Sequence, residues 1–226
     1  MSKISLTPVE DSPVFPKAVL KLKSPAPNSK HDINVVRFVY DIKNYELATQ
    51  TSDAKQKHCN NSDKGQHIHL ILNNEPYLAR YETDFSETLK EGTYVALSFL
   101  SRSYHESLKH KNAYDIRQFT VGTGTYEKVD LTRPMLFYSR PKGEYIGKDT
   151  TNILLDFYLV NVKLSENGYK VRATIDGQEF IITSWKAYFI KGLTKGEHSI
   201  KIELLDKHGK PVSSPFCRAE RKIVLK

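Results

Sequence analysis

The sequence predicts an all-β protein made of two tandem immunoglobulin-like β-sandwich domains, and three observations carry that expectation. Apolar and polar residues alternate with a period of two between turn residues, and no long helical stripe interrupts them. The 13 Tyr and 10 Phe, set against two Met and one Trp, favour strands. The chain also repeats itself, and 226 residues suit two domains of about a hundred each.

The elements follow in order. Residues 35–42 (Val-Val-Arg-Phe-Val-Tyr-Asp-Ile) read as an early core strand, matched by 153–159 (Ile-Leu-Leu-Asp-Phe-Tyr-Leu) in the second half. Residues 49–64 form a long polar excursion that cannot bury a core and reads as an exposed loop. Gly65-Gln66-His67-Ile68-His69-Leu70-Ile71-Leu72 then runs into Asn73-Asn74 and Tyr77. Its counterpart, residues 168–175, runs into Asp176-Gly177 and Phe180. Asn-Asn and Asp-Gly supply the positive φ that tight hairpins need. A Leu-x-x-Gly step into another strand recurs at Leu89–Gly92 and Leu193–Gly196. Residues 114–121 and 216–225 close the two halves. About seven strands per half at 8–12-residue spacing fit a sandwich, although the disulfide and buried Trp of antibody domains are missing. The joint is Gly122-Thr123-Gly124-Thr125, giving domains over residues 1–124 and 130–226.

The net charge of +8 permits an anionic partner. It divides as +2 over residues 1–126 and +6 over 127–226, dispersed among acidic residues. That dispersion and the lack of any nucleic-acid motif argue against nucleic-acid binding. No stretch approaches the roughly 20 apolar residues of a membrane helix, and residues 1–8 lack the apolar core of a signal peptide. Cys59 and Cys217 fall one in each half and read as free thiols.

No nucleophile elbow, phosphate loop, dinucleotide fingerprint or zinc-ligand quartet occurs, so no enzyme is expected. Two candidate sites remain. On a strand, His67 and His69 point to one face, so both imidazoles can converge on one ion, copper or zinc, with His105 or His58 as a third ligand. The competing reading places them on the solvent face while Ile68, Leu70 and Leu72 fill the core, and on sequence grounds it weighs more. Blue copper is a poor fit, because Met1 and Met135 are badly placed for an axial ligand. The second site is Ser101-Arg102-Ser103-Tyr104-His105-Glu106-Ser107, an Arg fork with hydroxyls and an imidazole that suits a phosphate or carboxylate, with a partial echo at Arg140. Its plainer reading is a capped turn in which Arg102 pairs with Glu106.

Three stretches carry a resemblance: residues 65–77, Phe99-Leu100-Ser101-Arg102-Ser103-Tyr104-His105-Glu106-Ser107, and Phe137-Tyr138-Ser139-Arg140-Pro141-Lys142-Gly143-Glu144-Tyr145. Together they resemble a family of Bacteroidetes cell-envelope proteins often labelled phosphopeptide-binding, over nearly the whole chain. The resemblance implies a periplasmic, non-enzymatic protein, and the leading reading is a binding module that docks on an outer-membrane or periplasmic protein partner through the Arg102–His105 loop, the Thr49–Lys64 loop and the interdomain groove. More loosely, it implies a plug or accessory subunit of an outer-membrane machine such as the type nine secretion translocon. Members usually carry an export leader, and this chain departs from them in starting at Met1 without one. No established phosphopeptide motif stands in the sequence. Small-ligand binding by the first domain, a metal at His67, His69 and His105 or an anion at Arg102, is the alternative.

Overall fold

The computed structural model describes residues 3–226. It is all-β: seventeen strands and one 3-10 turn, Gly147–Thr150, lie among the described residues, without an α-helix. Among the described residues no helix is long and apolar enough to cross a membrane.

The internal repeat is a repeat of topology. In the first half, Val35–Lys43 pairs with Val19–Ser24 on one side and Asp84–Thr88 on the other. Facing this sheet is a second one, ordered Lys30–His31, Tyr114–Val121, Gly92–Ser101, His67–Leu72, Leu78–Arg80. In the second half, Ile153–Val160 pairs with Met135–Arg140 and Tyr188–Lys191. The facing sheet runs Gly143–Tyr145, Arg218–Leu225, Gly196–Leu205, Lys170–Ile175, Gln178–Ile182. The strand order is the same in both halves. One exchange crosses between them: Ser5–Pro8 hydrogen-bonds to Tyr188–Lys191 in the second half.

Four sheets stack in sequence, with an apolar layer in each gap. Strand alternation sorts the side chains. Leu20, Phe38, Ile68, Leu70, Leu100 and Phe119 fill the first sandwich. Tyr138, Phe157, Val171, Ile175, Ile202 and Ile223 fill the second. Ile71, Leu97, Phe99, Met135, Phe137 and Tyr158 form a third core between the halves. His67–Leu72, Met135–Arg140 and Ile153–Val160 are therefore buried on both faces. The two sandwiches meet as packed sheets, with the Phe99 and Tyr158 rings stacked at 4.6 Å.

Polar contacts fix the register of this junction. The Asn74 side chain accepts from the Tyr138 amide at 2.8 Å, and Arg221 donates to the carbonyls of Asn74 and Ser139. Residues 49–64 join in, contrary to a purely solvated loop. Cys59 bridges to Asn152, and Asn60 donates to Asp149 at 2.6 Å. Cys59 and Cys217 are both buried free thiols. Burial pushes the Cys59 thiol up to about 12, which makes it inert as a nucleophile.

Candidate metal centre

His67 and His69 stand on the odd face of their strand, opposite Ile68, Leu70 and Leu72. As expected, those three point into the first sandwich. The histidines do not face solvent. The second half covers them, and both are fully buried. His105 arrives from the 101–107 loop and completes the group; His58 is exposed and lies apart. Nε2 of His67 lies 2.9 Å from Nε2 of His69 and 3.1 Å from Nδ1 of His105. The three ligand atoms all lie within 4.8 Å of one another.

The loop that delivers His105 has a twin in the second half. Ser101 bridges to Ser107, the Arg102 amide bonds the Glu106 carbonyl, and the His105 amide bonds the Arg102 carbonyl. In the second half Leu205 bridges to Pro211, Asp206 bonds Lys210, and Gly209 bonds Asp206. His105 thus occupies the place of Gly209, and both are left-handed, with φ of +70° and +75°. Glycine takes that conformation freely, whereas a branchless L-residue such as histidine pays about 1 kcal/mol. The strand repeats in the same way: Lys170 and Arg172 stand where His67 and His69 do, on a partly exposed face. The first half therefore departs from the repeat at all three imidazoles, and keeps one of them against backbone preference.

The surroundings set the tautomers and charges. Nδ1–H of His67 donates to the Gly65 carbonyl at 2.8 Å, which leaves Nε2 as a bare lone pair aimed at the cluster. Gly65 has φ +84°, and a Cβ there would sit 2.6 Å from the Thr49 backbone, so glycine is required. Nδ1 of His69 lies 3.1 Å from Ser139 Oγ, a second-half hydroxyl able to accept its proton. Burial, and the cations of Arg140 and Lys142, lower the His67 imidazolium to about 4 and those of His69 and His105 well below their usual range. At neutral pH all three are neutral, the form that binds metals. A metal with bonds of about 2.0 Å spread at roughly 120° needs nitrogens about 3.5 Å apart, so His67 would draw back from its two neighbours by about half an ångström while the wider spread of the set, within 4.8 Å, closes.

Tyr77 walls one side of the cluster, its ring 3.6 Å from that of His69 and within 7° of parallel. Its hydroxyl lies 3.2 Å from His105 Nδ1. Lys142 covers the other face of the Tyr77 ring, with Nζ 3.7 Å from the centroid, and burial brings its ammonium down to about 8. A bulge between Tyr138 and Arg140 turns consecutive residues, Ser139 and Arg140, toward the first half. Arg140 donates to the Tyr145 hydroxyl at 3.0 Å, and its buried Nε has no hydrogen-bond partner among the described residues.

The remaining candidates of the 101–107 loop face elsewhere. Arg102 donates twice to the Pro13 carbonyl and pairs with Glu106 at 3.5 Å. Ser103 exchanges hydrogen bonds with Thr51, and Tyr104 is fully buried beside Asp53. The loop is held on both sides, and His105 is the member that reaches the imidazole cluster. Gly65, Tyr77 and Ser139 were not singled out by the sequence. The Gly209 counterpart of His105 was the one readable signal.

No protein-family model matches the chain, and no curated protein matches it. Among solved structures, the chain is similar to fibronectin(III)-like modules of Clostridium thermocellum CbhA, at 10% identity and a TM-score of 0.32, over 92% of this chain and 94% of that one. It is similar to Bacteroides ovatus SGBP-B, solved in complex with a mixed-linkage heptasaccharide, at 10% identity and a TM-score of 0.26, over 99% and 48%. It is also similar to dimeric latent PorU from Porphyromonas gingivalis, at 11% identity and a TM-score of 0.30, over 97% and 21%. Likenesses this loose carry no functional argument.

Proposed function

We propose that the chain is a non-enzymatic metal-binding module, with one transition-metal ion held by His67, His69 and His105 at the junction of its two sandwiches. The observation that supports this best is the convergence of three neutral imidazole nitrogens, at 2.9 and 3.1 Å, in the buried junction between the sandwiches. Imidazole suits copper and zinc. It is supported further by the departure from the repeat: Lys170, Arg172 and Gly209 stand in the second half where the three histidines stand in the first.

The test is metal analysis of untagged protein, followed by titration of the stripped chain with copper and with zinc. One ion per chain is expected. The double substitution His67→Ala, His69→Ala removes two ligands, and His105→Asn removes the third with a residue that tolerates left-handed backbone. A parent chain that takes up neither metal, or variants that bind as the parent does, would overturn the proposal.

A second reading is docking on a protein partner in the cell envelope, as the family resemblance implies, including an accessory role at an outer-membrane translocon. It is supported by two grooves along the junction. One, of about 920 Å³, lies between Asn73–Pro76 and Pro211–Arg221; the other, of about 1180 Å³, lies between residues 50–63 and 148–151. Co-purification from native membranes under gentle extraction tests it: a chain that emerges alone and monomeric speaks against docking.

A further inference from the structure

We infer that the three-histidine centre holds copper as monovalent Cu(I), in three-coordinate form, in preference to zinc; this rests on the metal-binding reading above. Two features of the pocket lead there, one of charge and one of geometry.

The first is charge. Three neutral imidazoles leave a bound ion its full formal charge, and among the described residues no carboxylate or thiolate joins the cluster. The charged groups that act on the rings are cationic: the Arg140 guanidinium and the Lys142 ammonium. Arg140 is itself buried and has no acidic partner among the described residues; Tyr145 accepts its hydrogen bond. A divalent ion therefore meets twice the repulsion a monovalent one does, in a setting where water screens little.

Geometry is the second. Zinc on three histidines completes its shell with a fourth ligand, a protein group or a water, and Tyr77 is the protein donor beside the cluster, its hydroxyl 3.2 Å from His105 Nδ1. Its ring is parallel to His69 at 3.6 Å. A metal on His69 Nε2 lies in the plane of that imidazole. The Tyr77 oxygen is held in the parallel plane above, about 3 Å or more from it, beyond a coordination bond of about 2.0–2.2 Å. Tyr77 and Lys142 lie over one side of the cluster and Tyr81, its ring 5.1 Å from His67, flanks the other; the three histidines are buried, which disfavours a water as the fourth ligand. Three nitrogens and no fourth ligand is a set that d10 monovalent copper accepts.

The experiment uses the full untagged chain, stripped of metal. Cu(I) is presented anaerobically as its complex with a bathocuproine chelator, and zinc is titrated in parallel against a zinc chelator. Expected are one Cu(I) per chain, an X-ray absorption spectrum with three nitrogen scatterers, and a preference over zinc of roughly tenfold or more. Tyr77→Phe keeps the stack and removes the oxygen, so Cu(I) affinity should stay within about threefold. Lys142→Met removes a cation and should narrow the gap between the metals. Zinc bound as tightly as Cu(I), or a tenfold loss of Cu(I) affinity in Tyr77→Phe, overturns the Cu(I) assignment and leaves a metal site standing. Uptake of neither metal overturns both readings.

Discussion

Lys109, from the first half, places its ammonium on the carboxylate of Asp156, a fully buried residue of the second half. Burial raises the Asp156 carboxyl above its usual range, while Lys109 and a hydrogen bond from Ser107 oppose that rise. Removing one member of a buried pair strands the other. Lys109→Met should cost about 3 kcal/mol in urea unfolding, and Lys109→Met with Asp156→Asn should recover part of that loss. Equal stability of parent and single variant would show that the pair does not hold the halves together.

Gly65 supplies the carbonyl that orients His67, and its backbone excludes any Cβ. Gly65→Ala should lower stability by about 2 kcal/mol and reduce metal affinity at least tenfold, because the backbone must shift away from Thr49 and carries with it the carbonyl that orients His67. Retained affinity at reduced stability would separate the glycine's structural role from its orienting one.

His198 gives the second half a pH dependence of its own. Burial works to lower its pKa, but the Asp176 carboxylate at 2.6 Å and the Thr194 carbonyl at 2.7 Å outweigh it, and the pKa is raised. The stabilisation is fully present below the unfolded value of about 6.5 and is lost as pH rises through the higher folded value. Asp176→Asn should bring the His198 titration, followed by NMR, down toward or below 6.5 and flatten this part of the stability–pH profile. An unmoved titration would refute the pairing.

Metal should also be visible in thermal unfolding. An ion that binds the folded chain alone, present at a hundred times its dissociation constant, adds about 2.7 kcal/mol. For a chain of this length that raises the midpoint by roughly 5–10 °C. The shift should vanish in His105→Asn. An equal shift in that variant would point to ions bound elsewhere.

Much of the fold was legible because the chain states it twice. Alternation placed Ile68, Leu70 and Leu72 inside the first sandwich, and the duplicated hairpins pointed to two similar sandwiches. The opposite face was harder. His-Ile-His reads the same whether its imidazoles meet water or another sheet, because alternation says that two faces differ and not what covers the second. The covering sheet comes from residues 135–160, and the bulge that turns Ser139 and Arg140 together toward Tyr77 leaves no mark in the pattern. His105 was named as a possible ligand. Its loop's match to Asp206–Lys210, with glycine at the equivalent point, shows why its backbone is unusual.

The strand Ser5–Pro8 has a consequence for how the molecule behaves in company. It runs antiparallel along Tyr188–Lys191, from Ser5 opposite Lys191 to Pro8 opposite Tyr188, and the Val9 amide continues the contact to Ala187. Without it, Tyr188–Lys191 would be a bare sheet border, a row of unpaired amides and carbonyls open to strands of other molecules. Ser5–Val9 therefore act as a built-in shield against self-association, with Pro8, which lacks an amide hydrogen, within the row. A chain trimmed of residues 1–9 should form dimers and larger species in light scattering at concentrations where the full chain stays monodisperse.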